Sequence, residues 1–121
     1  MEKIYVTRGL DKCLFLFTED EWKSQEAKFR SISFTKSEAR KFNRLYFSGA
    51  TQLECDKQGR ILIPVYLKRH AEIKQDVVII GVSDRIEIWA KEKWEKFFSS
   101  NQGSFETLAE RLVDRHEPKE K

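Results

Sequence analysis

Short apolar runs rich in β-branched and aromatic residues open the chain, at Ile4 to Leu10 and Leu14 to Phe17, and return at Val77 to Val82 and Ile86 to Trp89. Runs of this length and composition predict strands. After each pair the spacing changes to a helical period that opens with acidic residues. Helices are expected near Glu19, ahead of Asp20 and Glu21, and near Glu92, where Trp94, Phe97 and Phe98 at i, i+3 and i+4 form an apolar stripe for the core. The two halves are related. Displaced by 72 positions, Tyr5-Val6-Thr7-Arg8-Gly9-Leu10 falls on Val77-Val78-Ile79-Ile80-Gly81-Val82 without a gap, Leu14 meets Ile86, Leu16 meets Ile88, Phe17 meets Trp89 and Trp22 meets Trp94. Each copy reads as strand, turn (Gly9-Leu10-Asp11-Lys12, then Gly81-Val82-Ser83-Asp84), strand and helix.

The second copy also has an earlier half: a strand at Gln52 to Cys55, a turn at Asp56 to Arg60, a strand at Ile61 to Ile63, and a short helix with Pro64 at its first position. The first copy has no counterpart, because Met1 stands about where Asp76 opens its strand. Either the repeat is intrinsically incomplete or an N-terminal segment of roughly 25 to 35 residues is absent. Between the copies, Thr35-Lys36-Ser37-Glu38 matches a capping box, and Ala39, Phe42 and Tyr46 share a face, so a helix is expected over Lys36 to Phe47 with Gly49 as its stop. A last helix is expected from about Ser104 to Asp114 on the stripe Phe105, Leu108, Ala109, Leu112 and Val113, followed by a polar tail, Glu117 to Lys121, too short to order itself. The organisation expected is a partial first repeat over 1–34, a connecting helix over 35–51, a full second repeat over 52–100 and a C-terminal helix and tail over 101–121, in one compact α+β unit where strands of one repeat pair with those of the other and helices pack outside.

At 121 residues with 40% hydrophobic and 36% charged positions, and only 5 Gly and 2 Pro, the composition is that of one structured domain. No apolar run approaches the roughly 18 residues of a membrane span and no signal-peptide layout opens the chain, so the expected location is the cytosol. Cys13 and Cys55 stand alone, outside any metal-ligand spacing, and read as small buried hydrophobes. His70 and His116 are far apart, no Ser or Cys lies in a nucleophile setting and no glycine-rich phosphate loop occurs. No catalytic residue, metal, cofactor or small-molecule substrate is expected, and His70, in Lys68-Arg69-His70, reads as a helix-end residue.

The net charge of +3 permits nucleic-acid binding without arguing for it, so the distribution of cations decides. Asp-x-x-Gly-Arg at Asp56 to Arg60 reads first as a hairpin turn with Gly59 at positive φ. Its other residues suit DNA: Lys57 for phosphate, Gln58 for base edges, Arg60 for guanine, with Asp56 holding the turn or orienting Arg60. Lys36, Arg40, Lys41 and Arg44 form a cationic face on the connecting helix, which fits either phosphate contact or plain solvation. Trp22, Trp89 and Trp94 with nine Phe could make a stacking platform, but their repeat-equivalent spacing favours core packing.

The stretches VTRGLDKCLFLFTEDEW, CDKQGRILIPVYLKRHAEI and DVVIIGVSDRIEIWAKEKW resemble the MraZ family of bacterial transcriptional regulators, over nearly the whole chain. The resemblance implies two repeats of the swapped-hairpin element of AbrB-type proteins around a small barrel-like core. It also implies double-stranded promoter DNA as partner, read through an Asp-x-x-x-Arg motif carried here once, by Asp56 and Arg60. It further implies ring-like homo-oligomers, a nucleoid-associated location, and control, expected to be repression, of the division and cell-wall gene cluster through G-containing repeats. The alternative reading is an antitoxin-like or oligomeric protein-interaction module without its own DNA specificity.

Overall fold

The computed structural model describes residues 3–116; the polar tail, Glu117 to Lys121, lies outside the described residues. Contacts divide the chain into two compact units, Met1–Lys91 and Glu92–Lys121. The first holds an antiparallel sheet of β1 (Lys3–Arg8), β2 (Leu14–Thr18), β3 (Thr51–Glu54), β4 (Val77–Val82) and β5 (Arg85–Ala90), in the order β3-β1-β2-β5-β4. The sheet is open rather than closed into a barrel, with β3 and β4 at its edges. Helices α1 (Glu19–Arg30), α2 (Ser37–Ser48) and α3 (Val65–Ala71) belong to the same unit.

The apolar runs are continuous because the inner strands are covered on both faces. Alternation sends Leu14, Val6 and Ile88 to one side, where they pack with Leu67 and Ala71 of α3 and with Leu16, Leu53, Ile63 and Ile73. Tyr5, Phe17 and Trp22 meet on the other side, with Trp22 stacked on Tyr5 at 5.6 Å and lying 5.9 Å from Tyr46 of α2. Phe29 of α1 lies 4.8 Å from Phe42 and 5.4 Å from Tyr46, so α1 and α2 are joined by an aromatic cluster. Trp22 and Trp89 are buried, which assigns them to the core. Thr18 caps α1 by accepting the Glu21 amide hydrogen bond, and three acidic residues follow in the first turn.

The repeat appears as a local two-fold relation. In the β2–β5 ladder Leu14 faces Ile88 and Leu16 faces Ile86, so equivalent residues exchange places about the central pair Phe15 and Glu87. The outer strands do not keep the same offset, which corrects the expected alignment of Tyr5 to Leu10 on Val77 to Val82. Leu14 pairs with Arg8, whereas its counterpart Ile86 pairs with Gly81 rather than Ile80. The cause is loop length: Gly9 donates to the Cys13 carbonyl and leaves Leu10–Lys12 as the loop, while Val82 pairs with Arg85 and leaves only Ser83 and Asp84. Gly81 is therefore a strand residue, and Ser83, at φ 63, takes the left-handed conformation of the tighter turn. The shift makes Ile79 the counterpart of Val6, and their surroundings differ: Val6 is fully buried and Ile79 is 63% exposed.

Other expectations change locally. Ile61 to Ile63 forms no strand. Asp56 donates its amide to the Arg60 carbonyl, but no further rung forms: Ile63 turns into the aliphatic cluster and Leu62 out to solvent at 82% exposure. Pro64 is the residue before α3 rather than its first. The capping box does not form: Lys36 precedes α2 without a side-chain cap, and the Thr35 hydroxyl bonds Ser33 instead. Gly49 does end α2, at φ −83 and not in a left-handed stop. Its reason is steric, since a Cβ there would lie 2.6 Å from the Arg8 guanidinium that caps the Leu45 carbonyl.

In the second unit, α4 (Lys91–Asn101) and α5 (Phe105–His116) flank a short 3-10 turn at Gln102–Ser104. The stripe of α4 holds together within its own helix, where Trp94 lies 5.5 Å from Phe97 and 6.1 Å from Phe98. The stripe of α5, at Phe105, Leu108, Leu112 and Val113, is exposed.

Candidate nucleic-acid interface

A single carboxylate organises the turn after β3. Asp56 Oδ1 accepts from the amides of Gln58 at 2.9 Å and Arg60 at 2.8 Å, and Asp56 Oδ2 accepts from Arg60 Nε at 2.9 Å. Asp and Asn side chains close turns in this way, by replacing backbone acceptors. The Gly59 amide returns to the Asp56 carbonyl at 3.0 Å, and Gly59 sits at φ 78, where a side chain would be strained. These bonds, led by those from Arg60, hold the Asp56 carboxyl below its ordinary range.

The turn is thus rigid at its base and open at its tip. Lys57, Gln58 and Arg60 are exposed, Arg60 at 73% of its side-chain surface. Its Nε is committed to Asp56, and its two terminal amino groups take no protein partner among the described residues. A guanidinium anchored at Nε presents those two groups as a fork, the geometry that matches guanine O6 and N7. The ion pair itself is exposed and adds little stability.

The second set of cations lies elsewhere. Lys36, Arg40, Lys41 and Arg44 are exposed on or beside α2, which packs on the aromatic face, whereas Arg60 borders a groove on the aliphatic face with Ile63 and Ile88. The structure does not bring the two sets together, and Arg40 is partly occupied by the Phe34 carbonyl at 2.8 Å. His70 is turned to the Gly9 carbonyl, 3.3 Å away. Burial, with Glu87 and Asp11 adding to it, pushes the Cys13 thiol up to about 12.

Two features escaped the sequence reading. Lys68 and Lys74 line the same groove as Arg60, though the run Lys68-Arg69-His70 was the available signal. Glu87, 8% exposed, accepts from Trp89 Nε1 at 3.0 Å and pairs with Arg85 at 2.9 Å, and that guanidinium lies 4.5 Å over the Phe15 ring. A lone Glu within an apolar strand gives no hint of such partners.

The fold and turn define a class: a two-repeat α+β protein whose repeats join through equivalent strands and which displays an arginine on a carboxylate-locked turn. The family model described as "MraZ protein, putative antitoxin-like" matches residues 1–45 and 46–116. A protein of Thermoanaerobacter sp. named transcriptional regulator MraZ is 51% identical over 113 residues, 93% of this chain and 79% of that protein. One of the same name from Caldanaerobacter subterraneus subsp. tengcongensis is 52% identical over 111 residues, 92% of this chain and 78% of the relative. The chain belongs to the MraZ family.

Proposed function

We propose that this chain regulates transcription by binding double-stranded promoter DNA with sequence preference. The observation that carries the reading is the Arg60 fork, anchored at Nε by Asp56 and open at both terminal amino groups. In this reading the turn enters the major groove, Arg60 reads guanine, Gln58 reaches a neighbouring base edge and Lys57 meets phosphate. The exposed cations of α2, Lys36, Arg40, Lys41 and Arg44, hold phosphates outside the groove. The names of the relatives support a regulator. The reading extends to repression of the division and cell-wall gene cluster through spaced G-containing repeats, by a nucleoid-associated protein of the cytoplasm.

Repeated weak contacts gain from assembly, because linking sites raises apparent affinity without new contacts. A ring-like homo-oligomer fits this use. Ile61 to Ile63, outside any ladder, and the edge strand β4 are the places where swapped-hairpin pairing would close a barrel between copies.

The test is a titration of labelled duplexes with and without guanine repeats. Arg60→Ala is expected to cost about 1 to 3 kcal/mol on the guanine duplex, with an unchanged thermal melt. Equal affinity of variant and parent would remove Arg60 from the reading role. The bare Leu62 and Ile79 favour one competing use, an antitoxin-like protein contact, and salt separates the two. Phosphate contacts weaken steeply with salt and an apolar interface does not.

A further inference from the structure

The backbone after α3 brings two lysines beside the Arg60 turn. The Ile73 amide donates to the Lys68 carbonyl at 2.9 Å and the Glu72 amide to the Arg69 carbonyl at 3.2 Å, with Glu72 left-handed at φ 57. This is a helix end closed by paired backbone bonds. It turns Ile73 back into the aliphatic cluster and so returns Lys74 alongside Lys68. Arg60, Lys68 and Lys74 then line one groove of about 410 Å³, floored by Ile63, Ile73 and Ile79. A second groove, of about 540 Å³, shares Lys68 and Lys74 and adds Arg69 together with the Glu72 carboxylate. The two lysines thus line both grooves, one of which Arg60 also borders.

Local needs do not account for both charges. Lys68 lies in the last turn of α3, where a cation suits the helix dipole. Lys74 lies beyond the left-handed cap and outside that field. Among the described residues neither lysine takes part in an ion pair, while the nearby Glu72 carboxylate is directed to Lys12, 3.7 Å away. Two uncompensated ammonium groups beside an open guanidinium suit a polyanion whose charges recur at intervals. A lysine acts on phosphate as a point charge and needs no fixed geometry.

We propose that Lys68 and Lys74 form a second phosphate-contact site, holding the duplex backbone beside the guanine read by Arg60; this rests on the DNA reading above. The division of labour is definite. Arg60 sets sequence preference, and the two lysines set affinity and salt dependence without preference.

The experiment titrates the full chain, Lys68→Ala, Lys74→Ala, the double variant and Lys74→Arg with duplexes containing or lacking guanine repeats, over a salt series, beside thermal melts. Each lysine removed should flatten the slope of log K against log salt by about 1 and weaken both duplexes by the same factor. Lys74→Arg should restore the slope. Should Lys68→Ala disturb the melt by weakening α3, the exposed Lys74 decides alone. A double variant that melts and binds like a DNA-binding parent overturns the inference and leaves the DNA reading standing. So does a changed guanine preference at unchanged salt slope. A parent that binds neither duplex overturns both.

Discussion

Phe15 and Glu87 hold equivalent positions in the two repeats and face each other across the ladder that joins β2 to β5. On the local two-fold an aromatic ring meets a carboxylate, and Arg85 reconciles them by pairing with Glu87 while lying over the Phe15 ring. The joint between repeats is therefore polar at its centre and apolar to either side, where Leu14 meets Ile88 and Leu16 meets Ile86.

Glu87→Leu should destabilise the chain by about 2 kcal/mol, because Trp89 Nε1 and Arg85 lose their shared acceptor in a buried setting. Arg85 keeps Asp84, which holds the loss below that of a fully orphaned charge. A denaturant melt measures it, and an unchanged midpoint would mean the carboxylate contributes nothing to the joint.

The Asp56 lock predicts a pH response of the turn. Its carboxyl is held below the ordinary Asp value of about 3.9, so the contribution is complete above that value and is lost as pH falls through the lower, folded one. The amide resonances of Gln58 and Arg60 should titrate together with a midpoint below the ordinary Asp value. A midpoint above the ordinary value would contradict the lock.

Gly49→Ala should cost about 1 kcal/mol, since the added methyl displaces the end of the Arg8 side chain from the Leu45 carbonyl and one exposed hydrogen bond is lost. Combined with Arg8→Ala, the glycine change should become nearly silent. Additive losses in that double-mutant cycle would point to backbone strain instead.

Ile79→Lys should leave the melt of the chain nearly unchanged, because the side chain is already exposed, and should lower the mass seen by light scattering at micromolar concentration. A charge on an open edge obstructs pairing with another strand. Identical masses for variant and parent would take β4 out of the proposed assembly.

Much of this was legible in the chain. The repeat offset of 72 carries directly into the β2–β5 ladder, because equivalent apolar patterns bury equivalent faces. The starts of α1 and α4, the turn over Asp56 to Arg60 and the role of Asp56 in it follow from local chemistry: acidic first turns, period and a side chain that bonds its own backbone. Tertiary structure decided the rest. A three-residue loop against a two-residue loop displaced the outer strands by one register, so Val6 is enclosed while Ile79 is bare. Ile61 to Ile63 has strand composition but no ladder, because a strand exists only where a partner supplies hydrogen bonds, and composition cannot name the partner. The glycine at 49, the Glu87 cluster and the approach of Lys74 to Arg60 each depend on residues distant in sequence, whose meeting is a property of packing and not of pattern.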